Sequence, residues 1–488
     1  MRAALVVAAA CVAVAAHAET RPRYGGKVTG SLFGAPVGFD PIDAEAQADL
    51  TVVGLVFDTL YTIAADGTVQ PHVALGPPTF DPARTTVHIA IRRGVVFHDA
   101  TPMTASDVAD SLERVRTKLP WLLAPVTAIH PSGDGVELAL RAPAPELAAL
   151  LALPQAAITR HGQAPAAGRP IGTGPFAFER FDPAARTLVL KAFDDHFAGR
   201  PYLDRLELGW FDTPDGEARR FETGAAQLSA RGVGAFAGAQ PKYQASGVES
   251  PAALLSFVGF GKRHAPITSD PRFRRALDLA LDRGALATIT TGEHTLPTRL
   301  PLPIEAGAAM LDAAGRAGDA AAARAVLADA GKQVAALAPG SLAGGKLAII
   351  IDATRPDDRE LALRVSRGLD KLGVGFTIEA VAADQLRDRA RRGDCDLWIG
   401  QLAAPITVAA AWWGAAFWAG NDGWVQAHLA AGPLDPAEVA RQFADRLPIV
   451  PLMFRSLLVW HRTEVHGLGF DAIGRPGLAD LYWFKARP

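Results

Sequence analysis

The sequence predicts an α/β protein of two or three domains, and three observations carry that expectation. Between Lys346 and Ile399, apolar strands alternate with amphipathic helices. The 488-residue chain is 49% hydrophobic, enough for more than one large core. After the first 18 residues only one cysteine remains, Cys395, so packing rather than disulfides must hold the fold.

The N-terminus reads as an export signal. Met1-Arg2 is a short basic start, and Leu5 to Ala16 is apolar apart from Cys11. Ala16-His17-Ala18 supplies the small-x-small site before Glu19. The apolar run is too short to span a membrane. We expect cleavage after Ala18 and no lipid on Cys11, because apolar Val12-Ala13-Val14 follows where a lipoprotein turns polar.

Removal of Arg2 with the signal leaves 48 basic against 51 acidic residues, a net charge of −3. A near-neutral surface with scattered arginines argues against nucleic acid as a partner. A second uncharged stretch, Leu397 to Asn421, has the length of a membrane span. Its glycines, alanines and Gln401 make it only mildly apolar. Arg391-Arg392 would also lie on the outer side, against the positive-inside rule. It reads as buried core or pocket wall.

Along the chain, Thr85 to Ile91 reads as a strand, with Val87, Ile89 and Ile91 on one face. Thr104 and Asp107 open a helix with a capping box, followed by Val108, Leu112 and Val115 at helical spacing. Thr51 to Tyr61 reads as one continuous element. Asp270-Pro271 starts another helix. The clearest run follows: strand Leu347–Ile351, helix Asp357–Leu372 stopped by Gly373, strand Val374–Val381, helix Ala383–Arg392 and strand Cys395–Ile399. This β-α-β-α-β order predicts a mostly parallel sheet.

Catalytic and cofactor signatures fail on inspection. Gly340-x4-Gly345-Lys346 lacks the Ser or Thr of a phosphate loop, since Leu347 follows, and its strand comes after the glycines. Gly232-x-Gly234 with Ala237 is not preceded by an apolar strand. His98-Asp99 reads as a turn after the Val95-Val96-Phe97 strand, and histidines 461 and 466 have no metal-ligand spacing. We expect no enzyme activity, no cofactor and no metal, and read Cys395 as a buried small hydrophobe.

Several segments, in order, resemble one known family. Tyr24-Gly25-Gly26-Lys27, Phe39-Asp40-Pro41 and Val56-Phe57-Asp58-Thr59-Leu60-Tyr61 come first. The most specific piece is Arg93-Gly94-Val95-Val96-Phe97-His98-Asp99-Ala100-Thr101-Pro102 with Ala105-Ser106-Asp107-Val108. Gly172-Thr173-Gly174-Pro175-Phe176, Gly199-Arg200-Pro201-Tyr202-Leu203-Asp204, Asp270–Arg283, Ala325–Gly331 and Pro448–Pro451 follow. Together they resemble the family 5 extracellular solute-binding proteins, the dipeptide, oligopeptide and nickel binders of ABC importers.

The resemblance implies the large, three-subdomain type of periplasmic binding protein fold, with two hinge-linked lobes that close on a ligand. Residues 19–255 would form lobe I, with 51–165 as a subdomain. Residues 256–448 would form lobe II, and 449–488 would return to lobe I. The crossings are expected near Ser256–Gly261 and Ile449–Phe454. The implied function is the periplasmic binding component of an ABC importer, a monomer that captures a small-molecule ligand, peptide-like or apolar/aromatic, between its lobes and is partnered by a permease. The alternative is a non-transport periplasmic sensor or scaffold on the same fold.

One departure bears on the ligand. Peptide binders of this family carry an acidic residue in a second-lobe loop, where it pairs with the peptide amino group. The corresponding stretch here, Gln401 to Phe417, has no acid between Asp396 and Asp422. An unpaired buried ammonium costs several kcal/mol. Tryptophan stands there instead, with five of the nine between 398 and 424. These tryptophans read either as plain core packing or as a ligand wall; on the second reading the wall is Phe33, Phe257, Phe260, Gln401, Trp412, Trp413 and Trp418, suited to an apolar, aromatic or uncharged ligand.

Overall fold

The computed structural model describes residues 22–166, 168–230, 241–242, 244–286, 288–289, 294–302, 318–338, 341, 346–355 and 357–484. The expected export signal with Cys11, the Gly232–Ala237 stretch and most of Gly340–Gly345 lie outside them.

The β-α-β-α-β run forms as its periodicity dictates. Strands Lys346–Asp352 and Gly375–Val381 pair in parallel, and Leu397–Ala403 lies parallel on the other side of Lys346–Asp352. Helix Asp358–Lys371 buries Leu361, Val365 and Leu369. Helix Ala383–Arg392 stops at Gly393, whose φ of +71° suits a residue without a Cβ. Cys395 is fully buried, and burial pushes its thiol up to about 12, far from reactive.

The complete sheet is not mostly parallel. Its spatial order is Thr295–Pro297, Val450–Arg455, Leu254–Phe260, Leu397–Ala403, Lys346–Asp352, Gly375–Val381. The pairings made by Leu254–Phe260, Val450–Arg455 and Thr295–Pro297 are all antiparallel. These strands are not joined by local crossover helices. Leu254–Phe260 brings the chain into this sheet and Val450–Arg455 takes it out, so neighbours must run in opposite directions.

The other end of each crossing lies in a three-stranded sheet of Leu228–Ser229, Leu458–Arg462 and Ala245–Glu249. The chain passes between the two sheets at Ser250–Ala253 and Ser456–Leu457. The passages are tied together: Ser250 N donates to Leu457 O at 2.8 Å, and Leu457 N donates to Ser250 Oγ at 2.8 Å. Most of Ser256–Gly261 and Ile449–Phe454, the expected crossings, is strand of the six-stranded sheet.

Two further four-stranded sheets lie earlier in the chain. One orders Lys27–Ser31, Arg205–Gly209, Thr187–Ala192 and Phe176–Asp182. The other is antiparallel, with Thr79–Phe80, Thr86–Ala90, Gly135–Leu140 and Val126–Ser132. Helix Ala105–Lys118 covers the latter through Val108, Leu112 and Val115, and Thr104 and Asp107 form the capping box. Phe97 to Ala100 form a turn, closed by Ala100 N donating to Phe97 O at 2.8 Å.

Thr51 to Tyr61 is not one element. Helix Gln47–Val56 ends inside it, and strand Tyr61–Ile63 begins only after an extended stretch. The break has a packing cause. Gly174 N donates to Val56 O at 3.0 Å, and a Cβ on Gly172 would stand 2.0 Å from that oxygen. The glycine-bearing 172–174 loop therefore seals the helix end. The uncharged Leu397–Asn421 stretch divides into strand Leu397–Ala403 and helix Ala409–Ala419. No described helix is long and apolar enough to cross a membrane.

Candidate functional site

A cavity of about 330 Å³ lies where the N-terminal segments meet the six-stranded sheet and its helices. Ile42–Glu45, Leu119, Trp121 and Leu153 form one wall. Phe257, Trp398, Gln401, Ala411, Trp418 and the Arg387–Arg391 end of a helix form the other.

The floor is aromatic because glycine makes room for it. Phe257 and Trp398 meet edge to face with centroids 5.0 Å apart. A Cβ on Gly400 would stand 2.1 Å from the Phe257 ring, and one on Gly259 would stand 2.2 Å from the Trp398 ring. Both rings can therefore lie over adjacent strands. Across the cavity, Trp121 lies on helix Ala409–Ala419 at Gly414, where a Cβ would approach it to 2.2 Å. A second joint stands nearby: Glu146 accepts from Ala410 N at 3.3 Å.

Several buried polar atoms on the lining make no hydrogen bond. The Gln401 side chain is buried, with neither its amide oxygen nor its nitrogen hydrogen-bonded. Trp121 Nε1 and Arg387 Nε are likewise buried without a partner. Unmade bonds of this kind cost about 1–3 kcal/mol each unless a ligand or water completes them.

Charge at the rim is balanced across the cavity. Arg391 donates to Asp43 at 2.8 Å and to Glu45 at 3.2 Å. Burial opposes the Arg391 charge, but Glu45 and Asp43 outweigh it and hold the guanidinium above its ordinary pKa. Behind this rim, burial pushes Asp49 up to about 7, against the pull of the Val37 N–H and Arg387. Asp40 and Asp422 are committed elsewhere, Asp40 to Arg114 and Asp422 to Trp424 N and Arg446.

Of the seven residues the sequence suggested, the structure brings Phe257, Gln401 and Trp418 to this cavity. Trp412 is fully buried, edge-on to Phe454, with Nε1 donating to Pro405 O at 3.0 Å. Trp413 packs against Phe443 in the same core. Phe33 lies under the Arg455 guanidinium at 5.1 Å, and Phe260 under that of Arg274 at 4.7 Å, so each stacks on a cation away from the cavity. Sequence reasoning missed Asp43, Glu45, Trp121, Arg387, Arg391 and Trp398. Only the density of tryptophan after residue 397 pointed toward any of them.

Comparison with known proteins agrees with this architecture. Residues 68–422 match the family described as bacterial extracellular solute-binding proteins, family 5 Middle. The chain is 27% identical over 419 residues to Probable di/tripeptide-binding protein 5 of Pseudomonas aeruginosa (strain UCBPP-PA14), covering 76% of each chain. It is 32% identical over 174 residues to the uncharacterized protein YhjP of Bacillus subtilis (strain 168), covering 34% of this chain but only 29% of that relative. Its fold matches the ABC transporter-associated periplasmic binding protein DppA from Helicobacter pylori, in complex with peptide STSA. That match has a TM-score of 0.79 at 18% identity and covers 95% of this chain and 99% of the other. Probable di/tripeptide-binding protein 5 and DppA are binding proteins rather than enzymes, and this chain shares the periplasmic binding-protein fold. The chain belongs to the bacterial extracellular solute-binding proteins of family 5.

Proposed function

We propose that this protein is the periplasmic binding component of an ABC importer, and that its ligand is a small aromatic or apolar molecule bearing an uncharged carbonyl or amide. Residues up to Glu249 together with those from Leu458 onward act as one lobe, and residues 254–455 act as the other. They close over the cavity and present a joined surface to a permease. The passages at Ser250–Ala253 and Ser456–Leu457 lie side by side and give such a hinge two short strands to bend.

One observation carries the ligand class: the cavity has an aromatic floor and a buried, unpartnered Gln401 amide, but among the described residues no uncommitted carboxylate on its lining. Asp43 and Glu45 already hold Arg391, and Arg387 and Lys118 add further positive charge to the lining. A free ammonium would be desolvated among aromatic rings with no anion to meet it. A ligand carbonyl would accept from the Gln401 NH2 group, and a ligand amide N–H would donate to the Gln401 amide oxygen, so an amide can complete both.

Native mass spectrometry of protein purified from its own periplasm tests the proposal. The expected result is a retained neutral or acidic small molecule, whose uptake by cells is lost when the protein is deleted. Retained peptides with free amino groups would overturn the ligand class. Uptake that survives deletion would overturn the transport role.

A further inference from the structure

Away from the ligand cavity, Asp58, His72 and His196 converge. Asp58 follows the end of helix Gln47–Val56. The Tyr61–Ile63 and Val69–Pro71 hairpin folds back so that His72 N donates to Leu60 O at 2.9 Å, which sets His72 beside Asp58. His196 comes from the turn after strand Thr187–Ala192, held by Gly199 N donating to His196 O at 2.9 Å.

The donor atoms stand close enough to share one ion. His72 Nε2 lies 2.8 Å from Asp58 Oδ1, and His196 Nε2 lies 3.5 Å from Asp58 Oδ2. One ligand atom from each residue lies within 4.8 Å of the other two. Zinc-type ions hold imidazole nitrogen and carboxylate oxygen at about 2.0–2.2 Å, which places tetrahedral ligand atoms roughly 3.3 Å apart. The contacts to the Asp58 carboxylate, 2.8 Å to Oδ1 and 3.5 Å to Oδ2, lie near that value, and rotation of the two rings and the carboxylate would draw the donors, all within 4.8 Å, onto one ion.

The hydrogen bonding shows what is missing. His196 Nδ1 lies 3.2 Å from Gly199 O, a contact that needs its proton. In the neutral ring, Nε2 then presents a lone pair. It faces Asp58 Oδ2, another acceptor, and both atoms are buried with no hydrogen-bond partner. The side chains of Asp58 and His196 are 4% and 6% exposed, so bulk water does not relieve this opposition. Either a proton on Nε2, which makes the 3.5 Å contact an ion pair, or a metal ion joins these two atoms. His98, close by, is not part of the set: its Nδ1 accepts from Gly172 N at 3.3 Å, and its Nε2 donates to Gly174 O at 2.9 Å. Phe197 packs on both ligand histidines with centroids 5.0 and 4.8 Å away, forming an apolar shell around the donors. His72 is 23% exposed and provides the way in.

We propose that Asp58, His72 and His196 bind one borderline divalent transition metal of the zinc(II) class. The His72 and His196 Nε2 atoms and an Asp58 carboxylate oxygen supply three ligands, and water supplies the fourth. The ion would clip the 61–71 hairpin to the 193–199 turn, independently of the ligand between the lobes. The donor set is two imidazoles and one carboxylate, which suits zinc or cobalt better than calcium or magnesium.

The test uses the full mature protein after chelation and dialysis. Zinc(II) is titrated calorimetrically, and cobalt(II) binding is followed by its ligand-field spectrum. We expect one equivalent of zinc, a tetrahedral cobalt spectrum and a higher melting temperature with metal. His72→Gln changes a partly exposed residue and should weaken binding at least about 100-fold while keeping the circular dichroism of the parent. Gln401→Ala, in the cavity, should bind metal as the parent does. The proposal fails if the parent binds no zinc, if His72→Gln binds it equally tightly, or if Gln401→Ala alone abolishes binding.

Discussion

Trp412 and Trp418 stand on one eleven-residue helix, Ala409–Ala419, yet they occupy opposite environments. Trp412 has no exposed surface and spends its N–H on Pro405 O. Trp418 is 40% exposed and lines the cavity. The helix is apolar on nearly all sides because one side meets the core and another meets the cavity. Tryptophan density therefore marks the region of a binding site without separating its wall from its foundation.

That contrast can be broken by mutation. Trp412→Ala should cost about 3–5 kcal/mol of stability through the cavity it leaves. Trp418→Ala should leave the denaturation midpoint almost unchanged while weakening ligand binding. Equal losses of stability in urea titrations of the two variants would contradict the division between core and wall.

The second contrast lies between buried and rim carboxylates. Asp49 titrates near 7 in the folded chain, against an ordinary value of 3.8. The folded state thus keeps the proton longer than the unfolded one. The stability this contributes is complete below about pH 4 and is lost as pH rises toward 7, by up to about 1.4 kcal/mol per pH unit. Asp49→Asn should remove this slope, so the parent should lose stability relative to the variant between pH 4 and 7. A constant difference between the two over that range would contradict the burial argument.

A Cβ at Gly400 tests the floor of the site. Gly400→Ala should cost about 1–3 kcal/mol by driving a methyl into the Phe257 and Trp398 rings, and should shrink the cavity. The smallest stability effect is expected at the rim. Arg391→Ala removes partly exposed pairs to Asp43 and Glu45, worth about 0.2–1 kcal/mol in the parent. Its clearer readout is closure: ligand affinity should fall, and the salt dependence of that affinity should flatten.

Much of the fold was legible because local periodicity determines it. The strands and helices between Lys346 and Ala403 carry their pattern in adjacent residues, as do the capping box at Thr104 and the stop at Gly373. The antiparallel half of the six-stranded sheet was not legible. Leu254–Phe260 and Val450–Arg455 meet across nearly 200 residues, and their direction follows from the path between two sheets. The break after Val56 was hidden for a similar reason, since the 172–174 loop that seals it is remote in sequence.

The site divides in the same way. Gln401, Phe257 and Trp418 sit in segments whose composition or family resemblance singled them out. Arg391 looked like a solvated residue on a charged helix, and only its approach to Asp43 and Glu45 makes it part of the rim. Asp58, His72 and His196 carry no recognisable spacing. A hairpin and a distant turn bring them together.

The central claim concerns the missing carboxylate, and a matched pair of ligands tests it most directly. Calorimetry should be run with di- and tripeptides bearing an aromatic side chain, and with the same peptides acetylated at the amino group. The account predicts that acetylation leaves affinity unchanged or raises it, because a neutral amide suits the Gln401 side chain and no anion awaits an ammonium. Tight binding of the free peptide that disappears on acetylation would contradict it.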